Sequence, residues 1–88
     1  MRIKEGFIIK KLGDGYVVIT VGEASRDFIG IIRLNATGAF LWQRIQDGAD
    51  SREKLTQAML GQYDGLDAST AAQDLDEFLN TVAFALEA

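Results

Sequence analysis

The chain contains no cysteine, no histidine and no proline. Without cysteine it has neither a disulfide framework nor a thiolate metal site. Without histidine it lacks the usual general base, the Ser-His and Cys-His nucleophile pairs, and the commonest metal ligand. Catalysis would have to rest on Asp, Glu, Lys or Tyr alone, so the expectation is a protein that is not an enzyme and needs no cofactor. Long hydrophobic runs are missing too. No stretch approaches the roughly 18 apolar residues that span a bilayer, and Met1–Gly6 lacks the apolar core of a secretion signal. These features predict a cytoplasmic protein with no membrane partner. Basic residues are the minority sign, nine against thirteen acidic, for a net charge of −4. A protein that neutralises DNA phosphates normally offers a basic face, so nucleic acid is not an expected partner.

What is present is enough for one small core. At 88 residues and 48% hydrophobic content, the chain is expected to form a single domain over residues 1–88. A chain of this size buries only about 60–65% of its unfolded surface, so its stability is marginal. Composition changes near Asn35. Before it lie most of the β-branched residues and most of the glycines, and after it come Ala, Leu, Gln, Asp and Glu. Strands first and helices second is the order of an α+β domain with helices gathered on one face of an antiparallel sheet.

Gly13-Asp14-Gly15 is a hairpin signal between a strand at Gly6–Leu12 and a second at Tyr16–Val21. Glu23–Arg26 reads as a polar loop, and Phe28–Leu34 as a third strand that Gly30 weakens or opens to close backbone approach. That strand runs directly into a helix from Ala36 to about Gln46, with Asn35 as its N-cap and Gly48 just past its end. Gly38 in its first turn costs about 1 kcal/mol relative to Ala, and Trp42 reads as core. A second helix starts at Asp50 or Ser51, where Asp50 and Glu53 have capping-box spacing, and ends at Gly61 or Asp64-Gly65. The third helix, capped by Asp67 or Ser69, carries Ala72, Leu75, Phe78, Leu79, Val82 and Leu86 at steps of three and four. Its expected length is about 18–20 residues.

Constellations for chemistry are weak. Asp74, Asp76 and Glu77 flank the stripe of an amphipathic helix, where a solvated face explains them without catalysis. The acidic clusters lack the alternating ligands and glycine turn of a calcium loop. Binding has a better candidate. An outer strand of a three-stranded sheet keeps unpaired N–H and C=O groups, and Phe28–Leu34 has no proline and one internal charge, Arg33. Large aliphatics fall on both of its faces. Either Ile29 and Ile31 pack under a loop or helix edge, or the strand accepts an added strand from a peptide. Phe84 lies off the third helix's stripe. It is either a contact with the first strand or a frayed end, or an exposed anchor for a partner or a second copy of the chain.

The combined pattern resembles the PqqD family, also described as RiPP recognition elements. It is carried by Leu34-Asn35-Ala36-Thr37-Gly38-Ala39-Phe40-Leu41-Trp42, Asp47-Gly48, Ser51 with Glu53 and Leu55, Gln62-Tyr63, Leu66-Asp67, and Ala72 through Leu79. Many relatives close the last helix with a Gly-Leu pair, which this chain replaces with Val82–Ala88. The resemblance implies a winged-helix-like domain of three strands followed by three helices. It also implies a non-enzymatic chaperone that binds the leader of a ribosomally synthesised precursor peptide. The leader would be presented to a radical SAM or other peptide-modifying enzyme, in PQQ or another RiPP pathway. In the family the leader adds beside the third strand and lies against the third helix. Carried over by position, the peptide-binding residues are Phe28, Ile29, Gly30, Ile31, Ile32 and Arg33 with Asp74, Glu77, Phe78 and Thr81. The chain itself is expected to be a monomer or weak homodimer. The alternative within the same architecture is a winged-helix DNA-binding regulator.

Overall fold

The computed structural model describes residues 1–27 and 30–87. The strands are β1 (Arg2–Ile3), β2 (Phe7–Leu12), β3 (Gly15–Thr20), β4 (Ile32–Leu34) and β5 (Leu86–Glu87). The helices are α1 (Ala24–Asp27), α2 (Ala36–Gln46), α3 (Arg52–Gln62) and α4 (Ala68–Thr81), and a 3₁₀ turn at Ala83–Ala85 precedes β5. This is the expected α+β arrangement, an antiparallel sheet in the order β2-β3-β4 followed by the three main helices.

The hairpin closes on the pair Leu12↔Gly15. Gly13 has φ +62 while Asp14 stays at negative φ, the sign pattern of a type II′ turn, whose twist matches that of the flanking strands. Period-two alternation puts Phe7, Ile9, Val18, Ile32 and Leu34 on the helix side of the sheet. There Phe7, Val18 and Leu34 join Leu41, Trp42, Ile45, Leu55, Met59, Leu75 and Phe78 in one core. Burying each such side chain contributes about 1.5–3 kcal/mol. Trp42 is fully buried, and its Nε1–H has no hydrogen-bond partner among the described residues, so its ring holds position by packing alone.

Each main helix starts on a side-chain cap. Asn35 Oδ1 accepts from the Gly38 N–H at 2.8 Å, Ser51 Oγ from Lys54 at 3.2 Å, and Asp67 Oδ1 from Thr70 at 2.7 Å. The Asp50/Glu53 capping box does not form: Ser51 takes the cap, and Asp50 instead bonds Lys54 Nζ at 2.9 Å. That contact holds the Asp50 carboxyl below its ordinary pKa.

Three expectations need correction. The third strand is shorter than Phe28–Leu34. Gly30 takes φ +148, a conformation that favours glycine and interrupts extended pairing, so β4 begins at Ile32. The Glu23–Arg26 loop is instead largely the single helical turn α1. The third helix stops at Thr81 instead of running to Leu86. Val82 has left helical geometry, Leu86 is extended, and the tail pairs as β5 with β1 through Arg2↔Glu87 and Ile3↔Leu86. The Lys4 N–H donates to the Ala85 carbonyl at 2.8 Å, and the Arg2 and Glu87 side chains pair. Phe84 packs edge-on to Phe7, with ring centroids 5.3 Å apart. Its misfit with the helical stripe has a simple cause, because the helix has already ended.

Gly6 allows the sheet to meet α1. Its φ is +89, and a Cβ there would stand 2.5 Å from the Ala24 Cβ and 2.9 Å from the Val21 carbonyl oxygen. Gly6→Ala is therefore expected to destabilise the fold by about 1–3 kcal/mol, measured by denaturant unfolding. The Asp67 cap supplies a pH test. Its hydrogen bonds from Thr70 lower the carboxyl pKa from 3.8. A folded-state pKa below the unfolded value gives stability that is present above the unfolded pKa and lost as pH falls through the folded one. The stability gap between the native chain and Asp67→Ala should hold at neutral pH and narrow as acid unfolding is followed below about pH 4.

Candidate functional site

β4 lies at the margin of its sheet. It pairs with β3 through Tyr16↔Leu34, Val17↔Arg33 and Val18↔Ile32, and among the described residues no strand takes its other side. That side opens on a groove of about 200 Å³. One wall is Arg33 and Leu34, continuing into Asn35, Thr37, Gly38 and Leu41 of α2. The other is Asp74, Glu77, Phe78 and Thr81 of α4. The spacing explains the second wall, since positions 74, 77, 78 and 81 recur at three and four and share one helix face.

The first wall depends on the strand-to-helix step. A Cβ on Gly38 would meet the Leu34 Cβ and Cδ2, each at 3.3 Å, so a larger residue would press α2 away from β4. The helix glycine that propensity alone marks as a cost thus sits at a packing contact.

Five of the ten residues expected to bind peptide line this groove: Arg33, Asp74, Glu77, Phe78 and Thr81. Phe78 is also core, 6% exposed, so it forms the apolar floor. Thr81 Oγ1 donates to the Glu77 carbonyl at 2.8 Å. Arg33, Asp74 and Glu77 have no ion-pair partner among the described residues, and the alternation that turns Ile32 and Leu34 inward sets the Arg33 side chain on the other face of the sheet. Ile32 points to the core and is half-buried. Ile31 precedes β4 and is 61% exposed, so it does not pack under a helix edge. Gly30 is an exposed bend. Phe28 and Ile29 lie outside the described residues. Thr37, Gly38 and Leu41 were not anticipated as groove residues. The available signal was Gly38, a costly residue where a good helix former would serve an isolated helix better.

The groove takes one or two side chains and is small beside the usual ligand pocket of about 300–1,000 Å³. Among the described residues no cluster of three metal-ligating side chains occurs. No helix there is long and apolar enough to cross a membrane.

Comparison with known families decides the relationship: the family described as coenzyme PQQ synthesis protein D matches residues 10–83. The chain belongs to the PqqD family. The matched span of this PqqD-family chain includes the hairpin turn with β3, the strand-to-helix step and both walls of the groove. A solved structure, TbiB1 in complex with the TbiA(beta) leader peptide, superposes with a TM-score of 0.72 at 23% identity. The alignment covers 96% of this chain and 90% of that one. The two share a fold. No curated protein matches the sequence.

The residues of the α4 wall should separate by role when cut back. Phe78→Ala removes core and is expected to cost about 3–5 kcal/mol. Asp74→Ala, half-buried one turn away on the same face and unpaired, should stay within about 0.5 kcal/mol. Paired denaturant titrations measure both.

Proposed function

We propose that this chain is a non-catalytic binding domain for the leader segment of a ribosomally synthesised precursor peptide. On this reading the leader adds as a strand beside β4 and sets its side chains into the groove against α4. The observation that carries the proposal is the conjunction at β4: an unpaired strand margin opening directly onto a groove with an apolar floor and charged walls. Membership in the PqqD family supports it, as does a fold shared with TbiB1, a protein solved with a leader peptide.

The physics is that of β-augmentation. Main-chain hydrogen bonds supply affinity and alternate side chains supply specificity. Each such bond contributes about 0.5–1.5 kcal/mol net, and one or two apolar anchors in the groove add the rest. The complementary leader would carry an apolar residue for Phe78 and Leu41, with a basic group near Asp74 and Glu77. The site residues are Phe28 to Arg33 with Asp74, Glu77, Phe78 and Thr81. In cells the bound leader would be handed to a peptide-modifying enzyme, such as a radical SAM enzyme, in the cytoplasm. The DNA-binding alternative has no comparable observation behind it. Arg52 is paired with Asp76 at 2.5 Å and Lys54 with Asp50 at 2.9 Å, so the cations of α3 are already engaged with carboxylates.

The test is an amide-shift titration with the leader of a precursor peptide encoded beside this chain. Shifts are expected along residues 30–34 and on the groove face of α4. Ile31→Pro gives a sharp second arm. Ile31 lies outside β4, so proline leaves the β3–β4 ladder intact while removing an N–H from the margin. Leader affinity should fall about tenfold or more, with the melting temperature unchanged. Unaltered affinity in that variant, or shifts centred on the hairpin tip, would reject strand addition.

A further inference from the structure

A second concavity, about 500 Å³, opens on a different side of α2, between the β2–β3 hairpin and the end of α3. It shares no wall residue with the groove beside β4. Its floor is aromatic. Phe40 and Tyr63 meet edge to face with centroids 5.7 Å apart, and the Arg44 guanidinium lies 5.4 Å above the Phe40 ring. Its rim is cationic. Lys10 and Lys11 border it with Arg44, and no carboxylate is among its lining residues, in a chain whose net charge is −4.

The two lysines are adjacent in β2, so strand alternation sends them to opposite faces. Both border the concavity, Lys11 on the sheet face it shares with Ile9 and Lys10 on the opposite face. Arg44 is tied to Asp47 at 2.5 Å, whereas Lys10 and Lys11 have no ion-pair partner among the described residues. Lysine on an outer strand commonly serves to blunt the edge. That accounts for the charges but not for their convergence on an aromatic floor without a single acid in the wall.

We propose that this concavity docks an acidic segment of a partner protein. An aromatic or aliphatic side chain of the segment rests on the Phe40–Tyr63 floor, and flanking carboxylates meet Lys10 and Lys11. Charge complementarity selects this occupant. A second copy docked by the same face would set its own Lys10, Lys11 and Arg44 against these, like charge on like. A nucleic acid would need more than two uncompensated cations to hold its phosphates. The site is independent of leader binding, so failure at one leaves the other standing.

The probe is a short synthetic peptide in which glutamates flank a phenylalanine-leucine pair, titrated into the isotope-labelled full chain. Amide shifts are expected at Lys10, Lys11, Phe40, Arg44 and Tyr63. Affinity should weaken with added salt and fall about tenfold in a Lys10→Glu/Lys11→Glu double variant. The exposed lysines predict an unchanged melting temperature for that variant. Should it fail to fold, Lys10→Ala/Lys11→Ala carries the same reading with a smaller loss. Three controls can overturn the proposal: equal binding of the peptide with lysine in place of glutamate, full affinity in the double variants, or tighter binding of single-stranded oligothymidylate. Absence of binding, or shifts confined to the β4 groove, overturns it as well.

Discussion

The contact between Leu34 and Gly38 governs the rest of the molecule. One residue, Asn35, separates β4 from α2, and its side chain is spent on capping the helix. The strand and the helix therefore have no slack between them, and their angle is set by how closely their side chains approach. With Leu34 and the missing Gly38 Cβ in register, α2 lies against the sheet. Leu41, Trp42 and Ile45 can then reach the core. The same two residues line the groove. Stability and the candidate site thus draw on one junction.

The chain ends matter for a different reason. A tail that continued as helix, or paired along β4, would change what the sheet margin offers. Instead Val82 ends α4, and Leu86–Glu87 pair with Arg2–Ile3. Phe84 then meets Phe7 edge-on, and Val82 and Ala85 are fully buried. The two ends tie to each other away from β4, and the polypeptide satisfies its terminal hydrogen bonds without spending the strand margin.

Much of this was legible in the residues. The hairpin glycines and the caps at Asn35 and Asp67 are local signals that local physics produced as written, and the apolar period of α4 held at Leu75 and Phe78, with Ala71 buried in place of the expected Ala72. Composition indicated strands ahead of the three main helices, but not β1, α1 or β5. The misses share a cause, which is that they depend on contacts distant in sequence. Periodicity continued through Val82 and Leu86, so the stripe gave no warning that β1 would claim the tail. The off-stripe Phe84 was that warning. Alternation through residues 28–34 concealed the backbone turn at Gly30. In the groove, the α4 wall could be named by position within the family pattern, since helical spacing fixes it. The α2 wall could not, because a glycine is informative there only once its neighbour Leu34 is known.

The two margins of the β2-β3-β4 sheet are unlike. One carries consecutive lysines beside a cationic hollow, and the other is short, carries Arg33 as its one charge and, among the described residues, has no neighbouring strand. Were both bare, copies could join margin to margin in a single direction and continue without limit, since head-to-tail contacts that do not close produce fibres. Guarding one side leaves a single open margin among the described residues, so copies meeting there could pair but could not extend into a ribbon.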